Sequence, residues 1–192
     1  MTDDCAVLFD FSDPAARDAW FVRNDTVMGG NSRGRIARTD ASIVFSGDLV
    51  TRGGGFAQAQ APLPDGALAG MTALRLVAAS DGRPWRVRVD TDVRVPRDAM
   101  RGRGDEGDRA ILRSGPGMDG PRVSFSAPLG AVPRDAPGPV SVPMTAPTAT
   151  TRGRPVPDAA FTPGTAHSIG LILADGRDAP FRLEVARIEA CR

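Results

Sequence analysis

Ser32 sits in Gly30-Asn31-Ser32-Arg33-Gly34, the G-x-S-x-G spacing in which a sharp turn between a strand and a helix presents a serine nucleophile beside a histidine base. The chain has one histidine, His167, with Asp175 a candidate to orient it. Two features oppose an elbow. Arg35 to Ile43 reads as extended rather than helical, and Ser32, His167, Asp175 do not follow the Ser, Asp, His order of that motif. His167 reads better as a strand-edge residue bonded to a backbone carbonyl. A serine hydrolase is therefore the least favoured reading, and the chain is not expected to be an enzyme. A single histidine also rules out a multi-histidine metal centre, and Asp105, Glu106 and Asp108 lack the ligand spacing of a calcium loop. No metal or cofactor is expected. Gly53-Gly54-Gly55-Phe56 is glycine-rich, but the sequence contains no lysine and no helix follows, so a phosphate-binding loop is excluded. It reads as a hairpin turn from Leu49-Val50 to Phe56-Ala57.

The elements that must position these residues are mostly strands. Gly and Pro contribute 22 and 17 of 192 residues, too many for long helices. One short helix is predicted after Ser12-Asp13-Pro14, a cap with proline in the first turn. Trp85-Arg86-Val87-Arg88-Val89-Asp90 alternates strictly, with Trp85, Val87 and Val89 facing a core. Val123 and Phe125 alternate with Ser124 and Ser126, and Ile169 to Leu173 is apolar on both faces, as in a covered central strand. Phe181 to Val185 alternates, then Ile188 and Ala190 resume on the other parity, which predicts a bulge near Ala186. About nine to eleven strands at this spacing predict one domain over 1–192, an antiparallel β-sandwich. Its longest loop is expected at about 97–121, with one short strand at Ala110 to Arg113.

Charge narrows the partners. With 24 basic residues, all arginine, against 23 acidic ones, the net charge is +1, and no like-charge block suggests a nucleic-acid or polybasic membrane surface. Arg103-Gly104-Asp105 lies in a charged glycine-rich stretch and is read as chance. No apolar run approaches the roughly 20 residues of a membrane span, and the acidic start resembles no leader. A cytoplasmic location follows as the expectation, with Cys5 and Cys191 as reduced thiols; pairing of the terminal strands would allow a bridge instead. Asn24-Asp25-Thr26 fits a glycosylation sequon and is expected to stay unmodified.

The densest information lies in Trp20 to Gly34. Asn24, Asp25, Gly29 and Gly30 are turn formers flanking apolar Val27 and Met28, in a segment too irregular for a plain strand. Glycines packed beside large apolar groups imply a close approach of backbone, either to another strand or to a partner.

Trp20, Asn24, Asp25, Val27, Met28, Gly29, Gly30 and Ser32 resemble the Asn-Asp-x-Val-Met-Gly-Gly-x-Ser signature of the complex I intermediate-associated protein 30 family. Further segments match in order: Phe45 and Gly47 with Gly54-Gly55-Phe56, then Asp81-Gly82 with Trp85. After these come Arg152-Gly153-Arg154, Gly170-Leu171, and Pro180-Phe181 with Leu183-Glu184. The chain departs from the pattern at Val140 to Pro147, where aromatic residues are missing. The resemblance implies a galactose-binding-like jelly-roll sandwich that helps assemble or stabilise respiratory complex I (NADH:ubiquinone oxidoreductase) as a non-catalytic chaperone domain. Its implied partners are complex I subunits or assembly intermediates, reached from the cytoplasmic side and peripheral to the inner membrane.

The expected partner surface joins three segments: Asn24 to Ser32, the Gly54-Gly55-Phe56 turn, and Arg152 to Arg154. Met28 and Phe56 would act as apolar anchors and the arginines as forks for carboxylate or phosphate. The competing reading makes the glycines packing devices and has Asp25 pair with an arginine to lock the fold. A carbohydrate or small-ligand module is the alternative function, warranted by fold alone.

Overall fold

In the computed structural model the described residues are 4–95, 120–151 and 153–192, with the side chains of Val27 and Met28 also left out. They form thirteen strands: β1 (Cys5–Asp10), β2 (Phe21–Asn24), β3 (Arg33–Arg38), β4 (Ile43–Leu49), β5 (Ala57–Pro62), β6 (Ala73–Ser80), β7 (Arg86–Arg94), β8 (Arg122–Pro128), β9 (Gly138–Pro143), β10 (Thr148–Thr151), β11 (Arg154–Pro155), β12 (Ala166–Leu173) and β13 (Ala179–Cys191). The predicted helix is α1 (Pro14–Asp18), where the Asp13 carboxylate accepts from the Ala15 N–H at 2.9 Å. The expected strand at 110–113 and the Arg-Gly-Asp triplet lie outside the described residues.

The strands make two antiparallel sheets. One runs β3-β4-β13-β6-β9, with β1 also on β13; the other runs β11-β10-β8-β7-β12-β5-β2. Inward alternation fills the space between them. Trp85, Val87 and Val89 are buried as predicted, and Trp85 joins Phe45 and Phe181 in a knot with ring centroids 5.0–5.9 Å apart. A second knot packs Trp20 edge-on against Phe9 and Phe11. The bulge falls where the parity changes, since the β13–β6 register shifts between Val185 and Arg187.

Three expectations are corrected. Leu49 and Ala57 end and begin strands of different sheets, so the glycine-rich segment between them is a crossover and not a hairpin. Positive φ at Gly53 (81°) and Gly55 (125°) turns the chain across the sandwich edge. The β12 strand is central, between β5 and β7, yet within its 169–173 stretch only Ile169, Leu171 and Leu173 enter the core. Gly170 and half-buried Ile172 occupy the opposite face. Finally, Cys5 and Cys191 form a disulfide, because β1 and β13 place them directly opposite in register.

Candidate functional site

The Asn24 to Ser32 segment begins where β2 ends. Asp25 opens a 3-10 turn through Met28, and Gly29, at φ 84°, closes it in the left-handed region that favours glycine. The turn aims the Asp25 side chain back under its own loop, where it is fully buried. Its Oδ1 accepts from the Ser32 N–H at 2.9 Å. Its Oδ2 accepts from the Ser32 hydroxyl at 2.7 Å and from the Gly55 N–H at 2.6 Å. Ser32 Oγ also accepts from the Val50 N–H at 3.1 Å, joining the crossover to the same centre. On the main chain, Asp25 N–H donates to Phe56 and Gly30 N–H to the Asp25 carbonyl.

The glycines are explained by this carboxylate. A Cβ at Gly30 would overlap the Asp25 carboxylate, and one at Gly54 would stand 2.7 Å from Asp25 Cβ. Gly30 and Gly54, far apart in sequence, are thus two walls of one aspartate cradle, while Gly29 serves the turn through its left-handed φ. Burial acts to raise the Asp25 pKa, but the hydrogen bonds from Ser32, Gly55 and Phe56 outweigh it and hold the carboxyl below its ordinary value. Asp25 is therefore a buried anion neutralised by a hydroxyl and by backbone N–H groups. No arginine pairs with it among the described residues, which corrects the expected Asp25–Arg lock.

Trp20, Asp25, Gly30 and Ser32 are buried, Asn24 and Phe56 half-buried, and Gly29 and Gly54 exposed. The Asn24 Oδ1 is sealed from solvent without a hydrogen-bond partner among the described residues. The structure brings the Asn24–Ser32 loop and the Gly54-Gly55-Phe56 turn together, but not the arginine segment. Arg154 follows Gly153 (φ 78°) on β11, at one edge of the seven-stranded sheet, while β2 forms the other edge. Arg152 lies outside the described residues.

The residues of the hydrolase reading are dispersed. Ser32 is committed to Asp25 and Val50, and His167 Nε2 stands 3.5 Å from Arg122 Nη1. Asp175 is gripped by Arg83, whose Nε donates to Oδ2 at 2.9 Å. No cluster of three or more potential metal ligands occurs among the described residues. The sequence reading also missed a row of polar side chains on the outer face of the seven-stranded sheet, centred on Gln58, Gln60, Arg88 and Asp90. Its signal was the strict alternation Ala57-Gln58-Ala59-Gln60-Ala61, which sends an amide outward at every second residue.

The two antiparallel sheets define a galactose-binding-like β-sandwich, the same fold as carbohydrate-binding modules. The family 11 module of the cellulosomal cellulase Lic26A-Cel5E of Clostridium thermocellum aligns over 99% of this chain and 95% of its own, with a TM-score of 0.60 and 14% identity. The Clostridium thermocellum family 11 module in complex with a β-1,3-1,4-mixed-linked tetrasaccharide aligns over 97% and 94%, with a TM-score of 0.57 and 14% identity. The model of the Complex I intermediate-associated protein 30 family matches residues 9–185, and the chain belongs to that family. No curated protein matches it.

Proposed function

We propose that this chain is a non-catalytic binding domain that assists the assembly or stability of respiratory complex I. The observation that carries the reading is the family match from residue 9 to residue 185, which spans both sheets and the whole Asp25 cradle. The cradle supports a scaffold role for the signature residues. It holds the Asn24–Ser32 loop and the Gly54–Phe56 turn in one rigid arrangement, so that what they present outward, including half-buried Phe56, is fixed before a partner arrives. Partners are complex I subunits or assembly intermediates, met from the cytoplasmic side of the inner membrane. No helix among the described residues is long and apolar enough to cross a membrane, which fits attachment through partners. Cytosol reduces most disulfides, so the state of the Cys5–Cys191 bridge in the cell bears directly on this location. Thiol trapping in intact cells reads that state.

The test is deletion of the gene followed by native-gel analysis of complex I and recovery of partners on the tagged protein. Loss of assembled complex I, restored by the wild-type chain, is the expected result. Unchanged complex I level and activity, with no respiratory subunit recovered, overturns the reading. The carbohydrate alternative draws on a different surface, the outer sheet face.

A further inference from the structure

On β5 the core takes Ala57, Ala59 and Ala61, so Gln58 and Gln60 stand on the outer face of the seven-stranded sheet. Register carries that face across the strands. Phe21 lies opposite Gln60, Gln60 opposite Gly170, Gly170 opposite Arg88, Arg88 opposite Ser126, and Ser126 opposite Thr148. One row thus crosses six strands, about 24 Å at ordinary strand spacing.

The two glutamines are unusual for an outer face: Gln58 is 3% and Gln60 8% exposed. Gln58 Nε2 donates to Gln60 Oε1 at 2.8 Å. A primary amide offers two donors and a carbonyl acceptor. That one bond leaves the Gln60 amide nitrogen and the Gln58 carbonyl oxygen without a protein partner among the described residues, and neither atom is sealed from solvent. Gly170 clears the floor beneath them, since a Cβ there would stand 2.7 Å from Gln58 Nε2. Beside them Arg88 donates to Asp90 at 3.0 Å and to the Ser124 hydroxyl at 2.6 Å, while Ser168 donates to Asp90 at 3.1 Å. This charge pair is internally neutral and held in place from two neighbouring strands. At the sheet edge, Phe21 is 50% exposed.

We propose that this face binds a neutral oligosaccharide laid across the strands from Phe21 toward Thr148. A sugar hydroxyl both donates and accepts, which suits a free amide donor next to a free amide acceptor. An apolar segment would bury those groups unpaired, at a cost of about 1–3 kcal/mol each. A sugar ring's C–H face packs on Phe21, as apolar contact at the end of a polar row requires. Arg88 is matched by Asp90, and Arg86 in the adjacent row of the same face spends its guanidinium on the Ser126 hydroxyl and carbonyl and on the Thr148 hydroxyl. Salt dependence is therefore the readout that separates a neutral ligand from an anionic one. This inference is independent of the complex I reading.

The test titrates the intact, oxidised protein with β-1,3-1,4-mixed-linked tetrasaccharide, screens it on an array of neutral oligosaccharides, and maps binding by backbone amide shifts. Saturable binding of a neutral oligosaccharide is expected, unaffected by about 0.5 M salt, with shifts on β5, β12 and β7. Gln60→Ala and Phe21→Ala are each expected to weaken it about tenfold or more while melting close to wild type. Phe21, being exposed, serves if Gln60→Ala fails to fold. The proposal is overturned if no neutral oligosaccharide binds at millimolar concentration, if binding is lost in salt, or if it survives both variants. Complementation of the gene deletion by the same variants keeps the complex I reading separate, because they are expected to restore complex I fully.

Discussion

The Ser32 hydroxyl donates to Asp25 Oδ2 at 2.7 Å while the Ser32 N–H donates to Oδ1, so one residue grips both oxygens of a fully buried carboxylate. Removing the carboxylate leaves the buried Ser32 N–H and the part-buried Gly55 N–H unpaired, and leaves the Ser32 hydroxyl only its longer bond to the Val50 carbonyl at 3.2 Å. Asp25→Ala is expected to cost about 3 kcal/mol or more, a fall in melting temperature of about 6–12 °C at this chain length. Ser32→Ala removes one bond from each of two partners and is expected to cost about 1–2 kcal/mol. Thermal melts of the purified variants check both. A melting temperature unchanged in Asp25→Ala would show that the cradle does not hold the fold.

Acid should act on the same centre. Burial tends to raise the Asp25 pKa, but its hydrogen bonds more than offset this and leave it lowered, so the unfolded chain takes up the proton first. A carboxylate with a lowered folded pKa contributes stability above its unfolded value and loses that contribution as pH falls through the folded one. Asp90, Asp175 and Glu184 are also lowered and add to the trend. Calorimetry from about pH 7 to about pH 3 is expected to show wild-type stability falling below about pH 4. Asp25→Asn should be less stable at neutral pH, with the gap narrowing in acid. A constant gap across the range would contradict the assignment.

The cradle's glycines give a coupled test. Gly30→Ala places a methyl on the Asp25 carboxylate and Gly54→Ala places one against the same side chain. Each is expected to cost about 1–3 kcal/mol by overpacking. Gly130→Ala meets no atom within 4 Å and bears only the strain of φ 73°, about 1–2 kcal/mol. In an Asp25→Ala background the obstacle is gone, so Gly30→Ala should cost much less there than alone. Strict additivity in that double-mutant cycle, read by urea denaturation, would refute the steric account.

What the sequence carried of this architecture was its periodicity. Trp85, Val87 and Val89 take the core parity that their alternation implies, and the parity break after Val185 marks the β13 bulge. Local pattern reports which way a side chain points. It does not report what that side chain meets when the partner is distant in the chain. Asp25 was readable as a turn residue, yet its acceptor role depends on Gly55, thirty residues on. The crossover looked like a hairpin because glycines reverse a chain equally well within a sheet or between sheets. Gln58 and Gln60 showed an outward parity, but only the strand order reveals that Gly170 and Arg88 extend their row.

Arg83 and Asp175 are a second long-range lock, with side chains only 8% and 4% exposed. Arg83 also donates to the carbonyl oxygens of Ala179 at 2.9 Å and Arg177 at 2.7 Å, so it fastens the turn between β12 and β13 to the start of β7. Removing one partner strands the other's buried charge. Arg83→Met is therefore expected to cost about 3–5 kcal/mol, seen as a lower denaturation midpoint with an unchanged slope. A loss below about 1 kcal/mol would place the pair with ordinary surface ion pairs.

The disulfide makes the last prediction. Cys5 and Cys191 are 186 residues apart, so their bond ties the first strand to the last and restricts nearly the whole unfolded chain. A native bridge of this kind contributes about 2–5 kcal/mol, or about 4–20 °C in melting temperature here. Dithiothreitol and the double variant Cys5→Ser/Cys191→Ser should lower the melt equally, and dithiothreitol should do nothing further to the double variant. The loss should begin locally, because among the described residues β1 pairs with β13 alone. Hydrogen exchange is expected to speed up first at the β1 amides bonded to β13, while β5, β12 and β7 in the other sheet keep their protection. Equal acceleration in both sheets would mean that the bridge holds the sandwich as one cooperative unit.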